Sequence, residues 1–303
     1  MLITPRVDNQ KYALVTGASS GIGYALVKAL SKKGYKVFAC SPKSVSFLMK
    51  PLAEEYGAIT FECDITNLED IKHSAELIKT TTGGKLDILY NNAGISIGGP
   101  AIEIDEGQLD KLFQVNVIGH INMTKHLAPL VINAKGTIVF TSSIAGLIPL
   151  AWVSAYNATK AAINMYAKTL RAELQPLGVK VHSVITGGVD TAICDNNRAT
   201  TLDSDYYNVD GIFESLNSSA NMSRNRRTTE DPDVYAEGIV KKITNKDPGF
   251  NIYKGAKAYS VYLVSLLLPL FVIQHGIAFH FKQLKVWYNM RKALKAKESK
   301  KSK

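Results

Sequence analysis

Residues 12–16, Tyr-Ala-Leu-Val-Thr, are a short apolar run, and Gly17-Ala-Ser-Ser-Gly21-Ile-Gly23 follows at once, ahead of a helical pattern through Ala25, Leu26, Ala29 and Leu30. A strand that turns on glycines into a helix gathers backbone N–H groups and the positive end of the helix dipole at one point, the setting for a pyrophosphate. The glycines are spaced Gly-x-x-x-Gly-x-Gly, and Ser19, Ser20 and the backbone of Ile22 stand beside them as further donors. This unit commits the chain to an α/β fold with a parallel sheet, since each such strand must be followed by a crossover helix.

The rest of the pattern agrees. Further stretches at 35–39, 59–63, 86–90, 179–185 and 251–255 read as strands and the apolar run at 136–143 as a buried one, and 68–78, 109–127, 161–170 and 233–243 read as helices. The strand at 35–39 ends in Cys40-Ser41-Pro42-Lys43, with no Asp or Glu to hold a ribose 2′-hydroxyl; that absence and Lys43 favour a 2′-phosphate, hence NADPH over NADH. Asp64, at the end of the third strand, is placed to meet an adenine amine. Asn91-Asn92-Ala93-Gly94 ends the fourth, where small residues admit a ligand and amides tie strands together. Asn116 interrupts an apolar stretch, and a buried amide needs partners, so a bent helix holding a water near Lys160 is expected there.

Tyr156 and Lys160 lie four apart at the start of a helical pattern and therefore share a face. Taken alone, the pair is ordinary for an amphipathic helix. Taken with a nucleotide site it has a use: an ammonium about 4 Å from a phenol offers roughly the 4 kcal/mol that would bring its pKa near neutrality. The expectation is that Lys160 acidifies Tyr156 and that Ser143, ending the strand before it, hydrogen-bonds the same substrate oxygen.

In order along the chain, Thr16-Gly17-x-x-x-Gly21-x-Gly23, Asp64, Asn91-Asn92-Ala93-Gly94, Asn116, Ser143, Tyr156-x-x-x-Lys160 and Gly187-x-Val189-x-Thr191 resemble the short-chain dehydrogenase/reductase family over residues 10–255. The resemblance implies a Rossmann-type doubly wound parallel sheet with helices on both faces. It makes Tyr156 the acid/base, Lys160 its partner and a ligand of the nicotinamide ribose, Ser143 the substrate-orienting hydroxyl, Asn116 the holder of a relay water, and Val189 and Thr191 contacts of the carboxamide. A homo-oligomer is also implied. Thr186 stands where the family usually has proline, which puts the rigidity of that turn in question. Several strings, among them Val117-Ile-Gly-His-Ile-Asn-Met123 and Ile185-Thr-Gly-Gly-Val189, are similar to fungal 1-acyl-dihydroxyacetone-phosphate reductases. That similarity implies reduction of a lipid ketone to lysophosphatidic acid at the cytosolic face of the endoplasmic reticulum or on lipid droplets. Steroid, retinoid or ketosphingoid reduction is the alternative within the class. A lipase using Ser19 in Gly17-Ala-Ser-Ser-Gly21 is the alternative outside it.

The domain thus spans residues 1–257, with a polar, irregular substrate loop at about 192–229 whose Arg198, Arg224, Arg226 and Arg227 suit an anionic substrate head. Residues 258–281 contain no Asp, Glu, Lys or Arg, yet the stretch is short of a span and holds Pro269, so a membrane-associating segment at the surface is expected. Residues 282–303 carry nine Lys or Arg against the single Glu298, which accounts for +8 of the chain's net +10 and removes the case for nucleic acid. The ending Lys300-Lys301-Ser302-Lys303 resembles a dilysine retrieval signal. Cys40, Cys63 and Cys194 lack metal-ligand spacing, so reduced thiols and no metal are expected. The polar first ten residues leave no room for a signal peptide before the first strand.

Overall fold

The computed structural model describes residues 9–301 apart from 198, 226 and 246, and of residues 196, 300 and 301 only the backbone. Seven strands, β1 (Lys11–Thr16), β2 (Tyr35–Ser41), β3 (Ile59–Glu62), β4 (Ile88–Asn91), β5 (Thr137–Thr141), β6 (Lys180–Thr186) and β7 (Asn251–Lys254), form one sheet in the order β3-β2-β1-β4-β5-β6-β7. Every pairing is parallel, so both faces must be covered, and the central strands accordingly read as unbroken apolar runs.

The covering helices are α1 (Gly21–Lys32), α2 (Lys50–Tyr56), α3 (Leu68–Thr82), α4 (Glu106–Phe113), α5 (His120–Ala134), α6 (Ser154–Leu174), α7 (Ile212–Ala220) and α8 (Pro232–Thr244). On one face, Leu26 and Leu30 of α1 and Tyr235 and Ile239 of α8 pack on Val15, Val37 and Val184. On the other, Ile71 and Ile78 of α3, Met123 and Leu127 of α5 and Ile163 of α6 pack on Leu14, Phe38 and Phe140. The strand order reverses between β1 and β4, which opens a crevice at their carboxyl ends where α/β sheets bind ligands.

Two expectations needed revision. The helix expected at 109–127 is α4 and α5 joined by a π-helical segment, Gln114–Gly119, so the bend at Asn116 is an added residue in the helical ladder. The stretch 192–229 is less irregular than its polarity suggested, because α7 lies within it. Its Ile212 and Leu216 bury against Val286 of the C-terminal extension, a partner too distant in sequence for local pattern to reveal.

That extension is three helices, α9 (Ala258–Leu267), α10 (Leu270–His280) and α11 (Gln283–Lys301). Pro269, which cannot donate to a helical ladder, separates the first two. The basic tail is docked through Lys282–Glu214 at 2.6 Å and Lys285–Asp210 at 2.8 Å. Ser302 and Lys303 of the dilysine-like ending lie outside the described residues. Among those described, no helix is long and apolar enough to cross a membrane.

Candidate active site

The glycine turn is built by backbone constraints. Gly17 and Gly21 have φ of +65° and +53°, and a Cβ on Gly23 would fall 2.2 Å from the Gly17 carbonyl oxygen. No side chain caps α1, so its first N–H groups stay open to an anion. Ser19 is half-buried and Ser20 exposed beside them, with Ile22 in the first helical turn. Opposite, Thr16 Oγ1 accepts from the N–H of Asn92 (2.9 Å) and Ala93 (3.0 Å), while Asn92 Nδ2 donates to the Thr16 carbonyl at 3.0 Å. Thr141 Oγ1 donates to Asn92 Oδ1 at 3.1 Å, so this amide ties β1, β4 and β5 together as expected. The Thr191 methyl closes over the turn, 3.2 Å from where a Cβ on Gly21 would stand.

At the carboxyl ends of β2 and β3 a cavity of about 680 Å³ opens, lined by Lys43, Ser44, Phe61, Glu62, Asp64 and Asp70. Asp64 is fixed there, its Oδ1 accepting from Thr66 N (2.9 Å) and Oγ1 (2.8 Å). A glycine turn at the switch point, an uncapped helix start and a cavity of nucleotide size with Lys43 on its wall together fit NADPH.

Ser143 follows β5 and caps a short 3-10 turn, its Oγ accepting from Ala145 N at 3.1 Å. Tyr156 lies in the first turn of α6, and Lys160 Nζ is 5.5 Å from the Tyr156 ring centroid. The three sequence-expected residues are therefore gathered, but their electrostatics differ from expectation. Burial pushes the Tyr156 phenol well above its ordinary range, the Cys194 thiol adds to this, and the Ser143 hydroxyl draws it back. Lys160 is 2% exposed, donates to the Thr141 carbonyl at 2.9 Å, and has its own pKa pulled down to about 8 by burial. The expected acidification is not a property of this state. The desolvation that excludes water from a phenolate outweighs an ammonium that lies beside the ring and is occupied by a carbonyl.

Asn116 is buried at the π-helical segment with all its side-chain partners supplied by protein. Its Oδ1 accepts from Ile95 N at 2.9 Å, and its Nδ2 donates to the Ile95 carbonyl (2.9 Å) and Thr159 Oγ1 (3.1 Å). Its amide thus positions the irregular segment after Gly94, and a Cβ on Gly94 would lie 3.4 Å from Asn116 Oδ1 and 3.7 Å from Lys160 Nζ. Sequence reasoning missed His120, one turn further on. Its Nε2 meets the Ala93 carbonyl at 2.7 Å, and burial, with the Lys160 charge second, lowers its pKa to about 3, so it is a neutral donor.

The segment after β6 covers the site. Val189 is buried and bridges Glu230; Cys194 is buried near Tyr156; Asn197 Nδ2 donates to Ser96 Oγ at 2.8 Å. Of the arginines expected to meet an anionic head, Arg224 forks onto Asp195 (3.0 and 2.7 Å) and reaches Asp190 at 3.4 Å. Those carboxylates already occupy it. Arg227 is exposed, and Arg198 and Arg226 lie outside the described residues. Thr186, in place of proline, forms a 2.7 Å hydrogen bond with the Tyr235 hydroxyl, both groups buried, so a side-chain tie fixes the turn. Ser19 makes no side-chain hydrogen bond among the described residues, which gives the lipase alternative no general base. The three cysteines are free and buried, and no metal-ligating cluster occurs among the described residues.

A doubly wound parallel sheet with a glycine turn at its switch point and Ser, Tyr and Lys gathered beside it defines a dinucleotide-dependent oxidoreductase. The chain belongs to the short-chain dehydrogenase family, whose model matches residues 11–202. It is 38% identical over 296 residues to the NADPH-dependent 1-acyldihydroxyacetone phosphate reductase of Saccharomyces cerevisiae, a match covering 96% of this chain and 97% of that protein. It is also 38% identical over 188 residues to the protein of the same description from Schizosaccharomyces pombe, covering 62% of each. Among solved structures, a short-chain dehydrogenase from Streptomyces avermitilis superposes with a TM-score of 0.74 at 25% identity, covering 92% of this chain and 98% of that one.

Proposed function

We propose that this chain is an NADPH-dependent reductase of a lipid ketone, converting 1-acyl-dihydroxyacetone phosphate to 1-acyl-glycerol 3-phosphate. The observation that carries the chemistry is the Tyr156 phenol set against Ser143 and Lys160, in a fold whose glycine turn opens an uncapped helix at the sheet's switch point. The yeast relatives supply the substrate.

NADPH, when bound, supplies the hydride; its pyrophosphate would rest on the turn from Gly17 to Gly23 and its 2′-phosphate would face Lys43. Ser143 Oγ holds the ketone oxygen. The Tyr156 hydroxyl gives that oxygen its proton, and because burial holds the phenol above its ordinary range, transfer occurs only as negative charge builds on the acceptor. Lys160, with a pKa of about 8, exchanges protons near physiological pH and stands where it can stabilise the phenolate left behind. Asn116 and His120 fix the backbone on which the nicotinamide end would lie.

The site's location belongs to the same reading. Leu266, Leu267, Leu268, Leu270 and Phe271 are 62, 76, 43, 60 and 64% exposed in one run around Pro269. Helices of ten and eleven residues reach only about 15 Å each, too short to span. A hairpin tip inserted in the cytosolic leaflet of the endoplasmic reticulum, or in a lipid-droplet surface, covers those side chains and sets the lysines of α11 near anionic headgroups.

The test is NADPH oxidation by the purified chain across a panel of ketolipids, with acyl-dihydroxyacetone phosphate beside steroid, retinoid and ketosphingoid carbonyls. Acyl-dihydroxyacetone phosphate is expected to be reduced, and Tyr156→Phe to lose about 10²–10⁴ in turnover while still binding NADPH. Consumption of another ketone in its place overturns the substrate, and consumption of none overturns the reductase.

A further inference from the structure

Between the catalytic phenol and the exposed α9–α10 tip lies a band of apolar side chains that the chemistry above leaves unused. Leu147 after β5, Met222 after α7, Val261 on α9 and Ile277 on α10 share one cluster with Tyr156, and each keeps partial exposure. Beneath them, Ile273 and Phe281 are buried. The band is therefore an apolar surface reached by solvent, floored by a closed core.

Its two walls are held in register. Trp152, four residues before Tyr156, has φ of +61°, in the left-handed region that bulky residues rarely adopt. It is kept there by a 2.8 Å bond from Gly99 N to its carbonyl and a 2.8 Å bond from its Nε1 to Ser215 Oγ. Ser215 in turn donates to the Phe281 carbonyl at the end of α10. The turn that carries the catalytic phenol and the base of the apolar hairpin are thus one hydrogen-bonded unit, and backbone strain retained at such a point marks a functional constraint.

We infer that this band is the binding site for the acyl chain of the substrate, running from Tyr156 over Leu147 and Met222 to Val261 and Ile277 and on to the hairpin tip. The inference rests on the ketolipid reading above. The occupant follows from what the cluster joins: it holds both the group that protonates the ketone and side chains of the two helices that carry the exposed leucines. An alkyl chain joined to that ketone reaches both. The named residues carry no charge, so the band takes a chain and not a headgroup. The lipid would enter tail-side from the surface on which the hairpin rests and present its ketone without crossing water.

The test uses acyl-dihydroxyacetone phosphates from butyryl to octanoyl, short enough to stay monomeric in water. For the wild-type chain kcat/KM is expected to rise by a factor of about 2–4 per methylene, as each CH₂ leaves water. In Val261→Asn and Ile277→Asn the factor is expected to fall toward 1, so that the loss grows with chain length, while the dissociation constant for NADPH is unchanged. A wild-type length dependence retained in both variants, or a loss equal at every length, overturns the inference. Should either variant fail to fold, an octanoyl substrate with a diazirine at its terminal carbon, photolysed on the wild-type chain, is expected to label Met222 or residues 258–281; labelling confined to other segments overturns it. Turnover of no homologue by the wild-type chain would sink the function reading and this site with it. Good turnover with a flat length dependence would sink the site alone.

Discussion

Replacing the buried lysine should make the protein more stable and less active. Lys160 is 2% exposed, and burial lowers its pKa from 10.5 to about 8. A base whose folded pKa lies below its unfolded one binds protons less readily when folded. Between about pH 8 and 10.5 the unfolded chain therefore holds the extra proton, stability rises with pH through that window, and the full penalty applies below it. At neutral pH the penalty is about 3 kcal/mol. Lys160→Met removes the titrating group and keeps most of the apolar stem, while forfeiting the hydrogen bond to the Thr141 carbonyl, worth about 1 kcal/mol. A net gain of about 2 kcal/mol at neutral pH is expected. A quantity independent of that offset is the change with pH: the wild type should recover about 2 kcal/mol relative to the variant between about pH 7 and pH 9.5. Groups common to both proteins cancel in this difference, and His120, held neutral mainly by burial, does not titrate there. Urea unfolding of both proteins at the two pH values measures it, and NADPH oxidation assays the accompanying loss of activity. A stability difference constant to within about 0.5 kcal/mol would refute the claim that folding strips water from a charged Lys160.

Thr186→Val should strand the buried Tyr235 hydroxyl and cost about 1–3 kcal/mol in urea unfolding, with Thr186→Ser close to wild type; equal losses in both would show that the tie at this turn is not the hydroxyl. Leu267→Asn combined with Phe271→Asn should weaken sedimentation with anionic vesicles by about 100-fold, from two large side chains no longer leaving water. Unchanged sedimentation would remove the hairpin tip as the attachment point.

What could be read in the sequence was what repeats locally. The central strands stood out as apolar runs because a doubly covered parallel sheet leaves them no polar face, and the glycine turn declared the switch point because only glycine tolerates that backbone. The gathering of Ser143, Tyr156 and Lys160 followed from a strand end and one helical turn. Other features depended on partners far along the chain. Helix α7 looked like polar loop because the residues it buries against, Val286 among them, lie in the extension. Arg224 looked like an anion receptor because Asp195 and Asp190 are scattered through a stretch with no regular period.

The protonation of Tyr156 and Lys160 belongs to that second kind. Helical spacing puts an ammonium and a phenol on the same face, and Coulomb's law then favours an acidic phenol. The same folding that makes them neighbours buries Lys160 and half-buries Tyr156 beside Cys194, and the loss of water acts oppositely on the two groups, raising the phenol and lowering the amine. The phenol keeps its proton, while Lys160, with a pKa of about 8, is still mostly an ammonium at neutral pH. The phenol therefore starts with its proton in place for a ketone oxygen, and the ammonium beside its ring is there to offset the charge left when that proton goes. How dry the site is governs how readily the phenol yields its proton, so substitutions that loosen the 192–197 segment should lower the Tyr156 pKa and bring the basic limb of the NADPH-oxidation pH profile to lower pH; an unchanged profile would refute the desolvation argument.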